Sequence, residues 1–158
     1  MAGFARSGIV SFPSFRGGKK CLLLPQVRMP QKDLELILMR QLASCLATPV
    51  FLVDPHGNLV YYNEHAEAIL GRRFEETGSM PVGMWSTMFT PKDSRGRTIA
   101  PDSLPLVIAL RKKIPAQKRF WITGLDGVKR QVEATAFPLI GQTKRLVGAV
   151  TMIQEVKA

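Results

Sequence analysis

The side chains able to do chemistry are few and scattered. The 158-residue chain has two histidines, His56 and His65, and two cysteines, Cys21 and Cys45. A nucleophilic site needs a thiol or hydroxyl with a base in reach, and a zinc site needs Cys or His in short paired spacings. Neither pattern occurs, and there is no serine elbow, phosphate-binding glycine loop or dinucleotide fingerprint. Glu75-Glu76 is an acidic pair without a matching ligand motif. The expectation is a protein with no catalysis of its own and no metal.

What remains are positions suited to turning, capping and packing. Val50–Val53 and Leu59–Tyr62 are short apolar runs joined by Asp54-Pro55-His56-Gly57, residues that favour tight reversal. Asn63 follows as a helix cap, able to accept from a free amide of the next turn, with Glu64 in the positive first turn. Ala66, Ile69 and Leu70 give that helix an apolar stripe, and Gly71 is placed to end it.

Composition bounds the rest. With 46% apolar and 22% charged residues, the chain has the length and content of one ordinary domain with a real core. The net charge of +10 is uneven: the first 32 residues carry six basic and no acidic side chains. The excess is mostly a property of residues 1–32, read as a flexible basic arm with no sustained period. Contact with anionic lipid or nucleic acid, a targeting role, and sequence upstream of a true start at Met29 all remain open for it, with the bland readings favoured. Leu104–Leu110, interrupted by Pro105, is far shorter than the ~18 apolar residues a membrane span needs. Two distant cysteines give no disulfide framework, which suits a reducing compartment.

Asp33–Leu46 has helical period. Leu34, Ile37, Leu38, Leu42, Cys45 and Leu46 share a face, and Leu36, Met39 and Ala43 widen it beyond what one core requires. Two neighbours would cover so wide an arc, the sheet and a second subunit; a deep groove on the same domain would serve as well. From Arg72 to Pro101 the pattern breaks repeatedly, yet it holds Phe74, Met80, Met84, Trp85, Met88 and Phe89. These are either the wall of a ligand pocket or ordinary core beneath loops. Asp102 or Ser103 is placed to cap a helix in which Leu104, Val107, Ile108 and Leu110 bury a face, and Arg111, Lys112 and Lys113 suit its C-terminus. Lys118–Thr123 and Val128–Phe137 alternate as strands about Gly124-Leu125-Asp126-Gly127, and Arg145–Gln154 makes a fifth strand. Five strands with helices inserted between the second and third predict an α+β fold, antiparallel sheet on one side and helices on the other.

The Pro49–Gly71 string resembles the opening of a PAS domain, and the likeness continues through FEETGSMPVGMWSTMF, ITGLDGVKRQVEATAFPL and LVGAVTMIQEV, covering roughly Leu34 to Val156. Asp54, Gly57, Asn63 and Gly71 match its motif positions, although turn and cap formation explain them without a ligand. The resemblance implies a PAS-like five-stranded antiparallel sheet preceded by an amphipathic flanking helix. The organisation then runs as an arm over 1–32, the flanking helix over 33–48 and the PAS domain over 49–158.

By the same resemblance the chain is a cytoplasmic sensory and dimerisation module, without a membrane span, that senses a small molecule or a partner. It is expected to form a homodimer through Leu34, Leu38 and Leu42 and to act on a separate output protein; nucleic acid is disfavoured. A ligand-free structural adaptor is the alternative. Candidate pocket residues are Trp85, Met88, Phe89, Leu110, Phe120, Ile122, Val132 and Val150, around a mostly apolar volume suited to a small organic molecule. Haem is disfavoured because Leu104–Lys113 contains no histidine, leaving only His65 on the preceding helix. Flavin photochemistry is disfavoured because Gly71-Arg72-Arg73-Phe74 stands where the reactive cysteine motif would be.

Overall fold

The computed structural model describes residues 31–156; the arm therefore falls almost wholly outside the described residues. The chain opens with α1 (Gln31–Cys45) and continues into β1 (Val50–Val53) and β2 (Leu59–Tyr62). The hairpin between these strands is made by Asp54. Its Oδ1 accepts the backbone N–H groups of His56 at 2.8 Å and Asn58 at 2.9 Å, while Oδ2 accepts the Asn58 side-chain amide at 2.9 Å. A carboxylate that satisfies three donors of its own turn fixes the reversal locally.

Next come α2 (Glu64–Leu70), α3 (Phe74–Thr77), α4 (Val82–Met88) and α5 (Pro105–Lys112). Asn63 caps α2 through Oδ1, which accepts the Ala66 N–H at 3.1 Å. Gly71 ends it in the left-handed region, φ 77°. That glycine is needed twice over, since a Cβ there would also lie 2.7 Å from the Asp126 Cβ. The close approach lets the tip of a distant hairpin dock on α2: Leu125 N–H donates to Leu70 O at 2.6 Å, and Arg130 Nη1 donates to Ile69 O at 3.0 Å.

The start of α5 differs from the expectation. Neither Asp102 nor Ser103 caps it; Pro101–Ser103 form a separate short turn and Leu104 stands at the cap position without a side-chain bond. The pyrrolidine ring of Pro105 requires an extended residue before it, and Leu104 obliges at φ −78°, ψ 137°, so the helix begins at the proline. Asp102 instead pairs with Arg111 at 2.5 Å. The inward face of α5 is Leu106, Val107 and Ala109, with Ile108 only half-buried.

The remaining strands are β3 (Ala116–Thr123), β4 (Lys129–Ile140) and β5 (Leu146–Glu155). All neighbouring pairs are antiparallel, in the order β2-β1-β5-β4-β3, so the last strand lies at the centre beside the first. Gly148 makes this possible: a Cβ at that position would fall on Val53 O of the neighbouring strand. The helices between β2 and β3 cover one face of the sheet, the inner face. Phe51 and Val53 of β1, Phe120 and Ile122 of β3, Val132, Ala134 and Ala136 of β4, and Ala149 and Ile153 of β5 join the core there.

On the outer face α1 lies against β1 and β5. Alternation turns Val50 and Leu52 to this side, both fully buried. The helix buries Ala43 toward the sheet, 4% exposed, but leaves Leu34 49%, Leu38 52% and Leu42 55% exposed. Ile37 and Leu46 are exposed beside them. Arg40 stacks over Tyr61 and Phe74, 5.1 and 5.6 Å from their ring centres, and Glu35 pairs with Arg145 at 2.7 Å.

Candidate functional site

Two features stand out, a small apolar cavity on the inner face and a polar junction that fastens α1 to the domain. The cavity, about 70 Å³, lies between the sheet and the α4–α5 region. Phe51, Phe120, Ile122, Ala134, Thr151 and Ile153 supply the sheet side, because inward positions two residues apart on neighbouring strands come into register. Trp85 and Ser86 of α4, Phe89 after it, and Leu104 and Leu106 close the opposite side. Trp85 is held by its indole N–H, which donates to Gly57 O at 2.9 Å and so ties α4 to the β1–β2 turn.

No charged side chain lines the cavity. Its two polar residues differ. The Thr151 hydroxyl donates to Thr135 O at 3.1 Å and is satisfied within the sheet. Ser86 is 3% exposed, and its Oγ is buried with no hydrogen-bond partner. An unpaired buried hydroxyl costs about 1–3 kcal/mol, which makes Ser86 an exception in an otherwise satisfied core.

The expected pocket residues divide. Trp85, Phe89, Phe120 and Ile122 line the cavity. Val132 is buried in the same core without reaching the cavity, and Met88 and Leu110 pack against the core from its margin. Val150 is on the other face: it pairs with Leu52 and Phe137, and cross-strand partners share a face. Ser86 and Thr151 were not singled out by sequence, since a small hydroxyl within an apolar run carries no periodic signal. His65 is exposed on α2, and His56 is exposed in the first turn. Among the described residues no group of three His, Cys, Asp or Glu is placed to hold a metal, and Cys45 is an exposed free thiol.

The junction is built on Asn63, 1% exposed. Its Nδ2 donates to Ala43 O at 2.9 Å, Leu46 O at 3.1 Å and Thr48 O at 2.9 Å, while Oδ1 accepts Val50 N–H at 3.0 Å besides Ala66 N–H. One amide therefore shares its two N–H groups among three carbonyls in the last turn of α1 and the segment after it, and its oxygen accepts from the first amide of β1 and the first turn of α2. Beside it, the Tyr62 hydroxyl lies 2.7 Å from Thr77 Oγ1, and burial pushes this phenol above its ordinary range. At the other end of α2, Arg130 holds the Asp126 carboxyl down to about 2, helped by the Val128 N–H.

No protein-family model matches the chain, and no curated protein matches it in sequence. Solved structures do. The PAS domain of a protein from Colwellia psychrerythraea is 17% identical, with a TM-score of 0.54 over 77% of this chain and 97% of that one. The LOV protein of Rhodobacter sphaeroides is 14% identical, TM-score 0.61, over 78% and 68%. The PAS domain of nitrogen regulation protein NR(II) from Vibrio parahaemolyticus is 14% identical, TM-score 0.53, over 75% and 98%. At such identities the likeness is one of fold.

Proposed function

The chain carries a PAS-fold domain, and from that premise we propose that it is a sensory and pairing module in which the state of the inner cavity biases α1, and α1 pairs with a second copy. The carrying observation is the leucine stripe of α1. A helix that buries Ala43, half-buries Leu36 and Met39, and leaves Leu34, Leu38 and Leu42 open, four residues apart, offers a self-complementary seam. A seam that repeats along one helix matches its own copy better than an unrelated surface, so the occupant proposed is a second molecule of this chain. Asn63 supports the coupling, because it joins the end of α1 to the strand and helix that flank the core. A ligand acts by binding one arrangement of these elements better than another.

The protein works in the cytoplasm and passes its signal to a separate output protein rather than to chemistry of its own; among the described residues no helix is long and apolar enough to cross a membrane. Native mass spectrometry of the full chain tests the pairing. A dimer is expected, and Leu38→Asp with Leu42→Asp is expected to give a folded monomer; a wild-type monomer at micromolar concentration would sink the proposal. The small cavity favours a second reading, a pairing module with an empty core. Thermal melting across a metabolite library separates the two, since a sensor gains stability from at least one compound.

A further inference from the structure

Ser86 is not an ordinary helix serine. Such hydroxyls usually bond back to a carbonyl in the preceding turn, and its neighbour Thr87 does so, donating to Gly83 O at 3.0 Å and Met84 O at 3.2 Å. Ser86 makes no such bond and lies in the cavity wall. The walls are otherwise apolar, apart from Thr151, whose hydroxyl is already committed. Water fits this place poorly: an ordered buried water is held by about 2–4 polar partners, and the wall offers one free donor, Ser86 Oγ, with Thr151 Oγ left able only to accept. A charged molecule fits worse, since nothing in the wall pairs with it. The volume of about 70 Å³ is less than half the ~150 Å³ of an apolar cavity that takes benzene.

We propose that the cavity binds a neutral molecule smaller than benzene, one hydrogen-bonding oxygen on a short hydrocarbon body, as in a short-chain ketone, aldehyde or alcohol, with Ser86 Oγ as its anchor. The inference rests on the sensor reading and names the chemical class of its ligand. A carbonyl oxygen takes the Ser86 proton, a hydroxyl either gives or takes one, and the hydrocarbon body meets Phe120, Ile122 and Ile153. Selectivity follows from the single free donor: a second carbonyl or ether oxygen would be buried unpaired.

Propanone, acetate and xenon serve as probes, titrated into the full-length protein while the methyl resonances of Leu104, Leu106, Ile122 and Ile153 are followed by NMR. Propanone is expected to shift these methyls saturably, acetate to leave them unmoved, and xenon to report the cavity irrespective of polarity. Ser86→Ala is expected to weaken propanone by about five- to tenfold, the worth of one hydrogen bond, and to change xenon binding by less than about twofold. Xenon binding without propanone binding, or equal propanone affinity in Ser86→Ala, overturns the ligand class while the sensor reading survives. Acetate binding as tightly as propanone overturns neutrality, and the wild-type protein alone decides that arm. Silence from all three probes removes the cavity, and the sensor reading goes with it.

Discussion

The two faces of one sheet are finished differently. The inner face is closed by helices of the same domain, and its paired side chains run from Phe51 through Thr151 to Ala136, with Val132 and Phe120 paired alongside. The outer face is covered by a single helix that buries Ala43, half-buries Leu36 and Met39, and leaves Leu34, Leu38 and Leu42 in solvent. Strand alternation alone would make the faces equivalent; the difference lies in how much apolar surface each covering element brings and where it points. An inner face that is complete can respond to what it encloses. An outer face that is incomplete can respond to what it meets.

Removing the connection between them should have the largest effect. Asn63→Ala removes the side-chain partner of the Leu46 and Thr48 carbonyls and of the Val50 N–H, while Ala43 O keeps the Leu46 N–H and the Ala66 N–H keeps Asn63 O, and is expected to cost about 2–4 kcal/mol in urea unfolding. Hydrogen exchange should then show α1 losing protection before β4 and β5; equal loss everywhere would mean that Asn63 supports the core rather than the junction. Close to it in size is the contrast between a leucine on each side. Leu70→Ala, fully buried under the inner face, should cost about 2–4 kcal/mol, whereas Leu42→Ala should stay within about 0.5 kcal/mol in the monomer and weaken pairing instead. Equal costs would erase the distinction between the faces.

The third effect is one of pH. Asp126 is held below its ordinary range by Arg130, so its contribution is complete above the normal carboxylate pKa and is lost as pH falls toward about 2. Unfolding midpoints should therefore fall across that interval, and Asp126→Asn should flatten this part of the profile; an unchanged slope would show that the hairpin tip does not depend on the pair. The smallest effect belongs to Glu35→Gln, which frees α1 from Arg145. Exposed ion pairs are worth about 0.2–1 kcal/mol, so stability should barely move while exchange in α1 quickens.

Much of this architecture was legible in order along the chain. The turn at Asp54–Gly57, the cap at Asn63, the stop at Gly71 and the hairpin about Gly124–Gly127 are local devices, each specified by a few adjacent residues. Helix α1 was expected from Asp33 to Leu46 and runs Gln31–Cys45, a difference within the fraying of helix ends. What was not legible depends on partners far away in sequence. The central position of β5 follows from pairing with both β1 and β4, which no local pattern states. Val150 was assigned to the pocket because β5 carries apolar residues on both faces, each of them covered, and alternation then no longer marks the inward side. Ser86 is silent in sequence for another reason: what sets it apart is a bond it does not make.

The adjacency of β1 and β5 reaches beyond packing. Val50 pairs with Met152, and Ile153 N–H donates to Pro49 O at 2.9 Å, so the chain enters and leaves the sheet at neighbouring points. Residues 49–156 thus form a closed loop in all but covalent bond. Spliced into a surface turn of a host protein, such a unit would span a short gap, the ~5 Å between paired strands plus the three residues by which Val156 runs on past Ile153, the partner of Pro49. It would sit there as a bead without prising its host open, and twisting the two host segments against each other would load the hydrogen bonds between its first strand and its last.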